Sequence, residues 1–135
     1  MTRRLALLLA ALALVVAGCG DDGGGSGSAL PSGSGAQGEA VRDALFSWMF
    51  EGDCDAMTDK FLEKQAFTGD TREERCAYLE KSFQKPHYSE GDVKIRALKV
   101  TGDKADITVG SDISNVETTY HMLKDGEQWQ VDGAD

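Results

Sequence analysis

Two hydrophobic periods run along this chain, and the switch between them divides it. Val41, Leu45, Trp48 and Met49 recur at helical spacing, with Ala40 and Ala44 beside them and Arg42 and Asp43 turned out; this predicts a helix over 40–51. Gly52-Asp53 ends it and supplies a cap for a second, shorter stripe of Cys54, Met57 and Phe61, a helix over 54–63. A loop over 66–70 leads to Thr71-Arg72-Glu73-Glu74, which fits a capping box, and Cys76, Leu79 and Phe83 follow on one face. After Lys85-Pro86 the period falls to two. Residues 92–101 read as a strand with Val93, Ile95 and Ala97 on one face; the apolar set then shifts to Leu98 and Val100, which predicts a bulge near Ala97. Gly102-Asp103 turns the chain into Ala105, Ile107 and Val109. Val116, Thr118, Tyr120 and Met122 alternate with polar neighbours, Asp125-Gly126 marks a hairpin, and Trp129 and Val131 form the last inward face. Three helices followed by a four-stranded antiparallel meander predict an α+β domain with the helices packed on one face of a bent sheet.

The residues before Glu39 carry no such pattern. Gly20 to Gly38 holds eight glycines and four serines in nineteen residues, a composition that buries too little apolar surface to offset its ordering entropy. It reads as a flexible tether with a reach of about 25 Å. Gly33-Ser34-Gly35-Ala36-Gln37-Gly38 matches the spacing of a dinucleotide-binding turn, but that turn works only after a strand and inside a βαβ unit, so the match carries no function here.

Further upstream, Arg3 and Arg4 precede an unbroken apolar run over 5–17 that closes on small residues. This is the layout of an export signal, too short for a membrane-spanning helix of roughly 20 apolar residues. Val16-Ala17-Gly18-Cys19 resembles the lipobox of bacterial lipoproteins, in which the cysteine thiol is diacylglycerylated and the chain is cut just before it. The resemblance implies a leader over 1–18, a lipidated Cys19 opening a tether over 19–38, and a folded domain over 39–135. It also implies an address on the extracytoplasmic face of the cell membrane, held by the lipid.

Charge narrows the partners. Of 14 basic residues Arg3 and Arg4 leave with the leader while all 23 acidic residues stay, giving the mature chain a formal charge of −11. Such a surface repels phosphate backbones and anionic headgroups alike, so nucleic acid is excluded as a partner and membrane attachment falls to the lipid. With Cys19 acylated, Cys54 and Cys76 remain. An oxidising compartment favours a disulfide between them; two free buried thiols are the alternative. Metal is a weak reading, since His87 and His121 add no ligand spacing.

Helices followed by a bent meander resemble the nuclear transport factor 2-like superfamily, with its ketosteroid isomerase and SnoaL-like members. More narrowly, the chain is similar to small actinobacterial lipoproteins with DUF4878-like domains. Glu51-Gly52-Asp53-Cys54, Cys76, Gly102-Asp103-Lys104-Ala105 and Glu127-Gln128-Trp129-Gln130-Val131 carry the likeness. The last stretch lacks the family's glycine at its first position, with Gly126 one residue earlier. The resemblance implies a cone lined by the concave sheet, and several relatives transfer protons inside it with a carboxylate and a tyrosine. In ketosteroid isomerases that tyrosine comes from the first helix; here the predicted helix offers Phe46, Trp48 and Phe50 instead.

No catalytic set is therefore carried over, and no cofactor is expected. His87, Tyr88, Asp112, Tyr120 and His121 are the polar candidates that remain. His121 alternates out of phase with Tyr120, so the two face opposite ways. Trp48, Phe61, Tyr120 and Trp129 are the candidate pocket-lining residues, although their spacing also suits an ordinary core. The expectation is a non-catalytic binding or interaction module for a small apolar ligand. An enzyme with an altered site and a homodimeric structural module are the alternatives.

Overall fold

The computed structural model describes residues 28–135. The leader and Cys19 lie outside them. Among the described residues no helix is long and apolar enough to cross a membrane.

Helix α1 (Gly35–Phe46) buries Val41, Leu45 and Phe46, and its last turn widens into a π-helical segment, Ser47–Glu51, that buries Phe50. Gly52 ends the run in the left-handed region at φ 67°. A side chain there would be strained twice over, because a Cβ would lie 2.6 Å from Phe83 Cγ.

The predicted second helix is two pieces. Cys54–Ala56 forms a 3-10 turn, closed by the Asp55 N–H donating to the Asp53 carboxylate at 2.9 Å. Met57 then leaves helical geometry to bridge Val131, and the Thr58 N–H donates to the Val131 carbonyl at 3.0 Å. Pairing with a strand edge wins over local helix propensity here, and α2 (Asp59–Gln65) starts only after Thr58 caps Phe61. Helix α3 (Arg72–Ser82) opens on the expected capping box: the Thr71 hydroxyl accepts from the Glu74 N–H at 3.2 Å, and Glu74 accepts from the Thr71 N–H.

The four strands are β1 (Lys94–Thr101), β2 (Lys104–Gly110), β3 (Thr118–Asp125) and β4 (Gln128–Ala134), in spatial order β1-β2-β3-β4 and all antiparallel. The architecture is α+β. Gly102 and Gly126, both at φ 60°, open two-residue hairpin loops whose twist suits the flanking strands. Arg96 is the extra residue of the predicted bulge, so Ile95 pairs with Val109 while Leu98 pairs with Ile107, and both face the core. A second bulge at Asp132 keeps Val131 inward opposite Met122.

Leu45, Met57, Leu62, Ile107, Met122, Val41 and Val131 are the largest fully buried side chains. They sit between the helices and one face of the sheet. The opposite face carries Lys99, Asp106, Thr108, Thr119 and His121, with the hydroxyls of Thr108 and Thr119 2.8 Å apart.

Part of the segment whose composition reads as tether is docked. α1 starts at Gly35, not at residue 40. Gly38 is buried, and a Cβ there would lie 2.9 Å from Leu98 Cδ2. Ser28 is 4% exposed; its hydroxyl donates to the Glu90 carbonyl at 2.8 Å and also lies against that of Val93. The small residues here are close-packing residues, a demand that composition alone does not distinguish from flexibility.

Candidate functional site

The sheet end formed by the start of β1, the end of β2 and the start of β3 is open. Between it and the π-helical turn lies a cavity of about 280 Å3. Val93 and Val109, both buried, form its floor; Met49, Tyr88 and Tyr120 form its walls. Ile113 and Val116, on the loop joining β2 to β3, stand at the rim with Ser111, Ser114 and Thr118. Each wall residue has a local cause. The widened turn re-aims Met49 toward the opening, as π-turns do at ligand sites. Tyr120 faces inward because β3 alternates, and Tyr88 is held edge-on to Phe50 at 5.8 Å.

Two aromatic chains brace the walls from behind. Phe46, Phe50 and Tyr88 follow one another at 5.6 and 5.8 Å, and Phe61, Trp48 and Tyr120 at 5.1 and 5.4 Å, all edge-to-face. Burial foremost, with Tyr88 beside it, raises the Tyr120 phenol above its usual 10.0, so it remains a neutral hydrogen-bonding group at the wall. Asp92 is held below its usual 3.8, first by the Ser89 N–H at 2.8 Å and then by the Ser89 hydroxyl at 2.7 Å.

Of the four aromatic residues read as pocket-lining, Tyr120 reaches this cavity. Trp48 and Phe61 pack behind it, and Phe61 and Trp129 belong to the core at 4% and 3% exposure. Trp129 also borders a separate depression of about 270 Å3 with Ala40, Ala44 and Ala56. Phe61 and Trp129 were drawn to the closed core, while the opening is lined by Tyr88 and Tyr120 together with Met, Val and Ile. The signal that sequence reasoning missed is Ile113, an apolar residue between Asp112 and Ser114, together with Val116, which reads as a strand residue but stands exposed in the loop before β3.

The polar candidates are not brought together. Asp112 is exposed and paired, 3.6 Å from Lys94 Nζ and 3.4 Å from Arg96. His87 is exposed beside Tyr88. His121 lies on the outer face, as its phase predicts, with Nδ1 2.7 Å from Asp106 and Nε2 2.8 Å from Asp135. Those hydrogen bonds, Asp106 first, raise its pKa above the usual 6.5.

Cys54 and Cys76 sit at disulfide distance, Cα atoms 5.6 Å apart, joining the 3-10 turn to α3. Among the described residues no group of three or more His, Cys, Asp or Glu converges as a metal site would require. A comparison with family models, curated proteins and solved structures gives no match for this chain.

Proposed function

We propose that the chain is a cell-envelope lipoprotein, anchored through an acylated Cys19, whose nuclear transport factor 2-like domain binds a small apolar ligand without transforming it. The observation that carries this reading is the opening itself. Among the described residues four large hydrophobic side chains are exposed, and three of them, Tyr88, Ile113 and Val116, surround one cavity with an apolar floor. Exposed apolar residues scattered singly need no explanation; a rim of them around a concavity does.

The cavity sits near the small end of the usual range for ligand sites, about 300–1,000 Å3, and suits one acyl chain or a small ring system. A ligand that buries about 200 Å2 there gains about 5 kcal/mol before the cost of association. Affinity is therefore modest, and the Tyr120 hydroxyl, Thr118 and Ser111 offer neutral hydrogen bonds for a polar headgroup. Binding is favoured over catalysis because the acid candidate Asp112 is spent on Lys94 and Arg96, and His121 faces the other side of the sheet.

Two measurements test the reading. Replacing Cys19 with Ala should release the protein from the membrane fraction; a mature form that still sediments with membrane would refute the anchor. Residues 20–135, which retain the docked Ser28, should change their Trp48 fluorescence on titration with a medium-chain alcohol, and Thr118→Phe, which fills the cavity, should abolish the change. Turnover of an offered ligand that disappears in Tyr120→Phe would replace binding by catalysis.

A further inference from the structure

We propose that the open end of the domain rests on the lipid bilayer to which Cys19 tethers it, with Tyr88, Ile113 and Val116 in contact with the leaflet; this rests on the anchor reading above.

The chain itself supplies the first argument. Ser28 is fixed at the mouth: its hydroxyl meets the carbonyls of Glu90 and Val93, and Asp92 and Val93 line the cavity. From Cys19 to Ser28 is nine residue steps, which span at most about 32 Å however they are arranged. A strand of seven or eight residues is about 25 Å long. The hairpin end of the sheet, at Gly102 and Gly126, is therefore a full strand length farther from the strap's attachment at Ser28 than the mouth is. A strap fixed at the mouth lets this end meet the bilayer with the strap slack, whereas the hairpin end meets it only with the strap drawn out by a strand length, most of its span.

Charge supplies the second. The mature chain is strongly acidic, yet the acids of the rim loop carry their own counter-ions: Arg96 pairs with Asp112 at 3.4 Å and Glu117 at 3.6 Å, and Lys94 with Asp112 at 3.6 Å. At the hairpin end Asp55, Asp59 and Asp125 share one basin with Arg72, which pairs with Asp59, and Asp103 and Glu127 on the two turns have Lys104 and Lys124 as near neighbours. The rim loop, its two acids paired with two bases, therefore adds no net charge to oppose a bilayer carrying anionic headgroups.

Exposure supplies the third. Ile113 is 94% exposed, Val116 70% and Tyr88 50%. The loop is braced to present them, with the Ser114 N–H donating to the Ser111 hydroxyl at 3.1 Å and Arg96 donating to the Ser111 carbonyl at 3.2 Å. Apolar side chains at this height enter the boundary between headgroups and acyl chains. The cavity then opens onto the leaflet, where a ligand of modest affinity is present at high local concentration.

The test uses the mature lipoprotein in vesicles of phosphatidylglycerol and phosphatidylethanolamine with brominated acyl chains, which quench nearby tryptophan. Ile113→Trp should add fluorescence that is quenched severalfold more strongly than that added by Glu127→Trp on the far turn, and the same contrast should hold for Val116→Trp. Equal quenching, or stronger quenching at position 127, in protein that floats with the vesicles overturns the orientation and leaves the anchor intact. Protein that does not float with the vesicles overturns the anchor and the orientation together. Unquenched rim tryptophans in a floated, cross-linkable dimer give this face to a second copy and overturn the proposal.

Discussion

At one end of the sheet Tyr88, Ile113 and Val116 surround an apolar opening; at the other, Asp55, Asp59, Arg72, Asp125 and Gln128 line a polar basin of about 440 Å3. The basin end is tied together by specific bonds. Cys54 and Cys76 stand at disulfide distance, and the Arg72 guanidinium donates to the carbonyls of Cys54 at 2.9 Å and Met57 at 3.0 Å. Asp132 accepts from Thr58 at 2.9 Å and from Lys60 at 2.8 Å, and Gln130 donates to the Asp55 carbonyl at 2.9 Å. The mouth has mainly packed rings and aliphatic side chains. One end spends its polar groups on holding itself closed, and the other leaves apolar surface uncommitted. A site for an apolar ligand belongs where the fold is not already using the surface.

The largest expected effect falls on the closed end. Helix α3 buries no residue fully, so the link from Cys76 to Cys54 is a principal attachment. Cys76→Ser should lower stability by about 3 kcal/mol in the chain-entropy account of a bridge across 22 residues, read by denaturant unfolding with and without reductant. Ligand affinity at the mouth should be unchanged; a parallel loss of binding would show the two ends to be one cooperative unit.

Arg72→Ala comes next. It strands the Cys54 and Met57 carbonyls and should cost about 1–3 kcal/mol. A change within experimental error would mean that water replaces the guanidinium without penalty.

The outer face gives a smaller, pH-dependent effect. His121 titrates above its usual 6.5 because Asp106, and then Asp135, bind its charged form. Its contribution is therefore complete below 6.5 and is lost as pH rises through the raised value. The ring is 42% exposed, so solvent screens much of the interaction. His121→Gln should flatten that part of the stability–pH profile, and an unchanged profile in the variant would assign the slope to other groups. Asp132 behaves oppositely. Burial disfavours its charge, but Lys60 and then Thr58 outweigh this and hold it below 3.8, so its contribution is lost only as pH falls through the lowered value.

The smallest effect on stability belongs to the mouth. Ile113→Asp and Val116→Asp should each change unfolding free energy by no more than about 0.5 kcal/mol, since neither side chain is packed. A larger loss would make the rim a structural element instead of an uncommitted surface.

What the sequence made legible follows from which interactions are local. The stripe of Val41 and Leu45, the capping box at Thr71, the hairpin turns and the bulge beside Ala97 are each written within a few residues, and each is present. What was not legible depends on distant partners. Ser28 looks like linker until the carbonyls of Glu90 and Val93, more than sixty residues away, are placed against it. Cys54 and Met57 look helical until the edge of β4 offers Met57 a bridge. The cavity escaped for a related reason. Aromatic residues are the natural candidates for a pocket, but Phe61 and Trp129 are consumed by the core, and the opening is made by where a loop ends up.

The most direct test of the central claim is a map of where an apolar ligand binds. Backbone and methyl resonances of residues 20–135 can be followed by NMR while a medium-chain alcohol is titrated in. The account predicts shifts that saturate at Met49, Val93, Val109, Val116 and Tyr120, with Gln128, Gln130 and Asp59 at the closed end unmoved. Saturating shifts at the polar basin, or none at the mouth when the ligand is in excess, would contradict it.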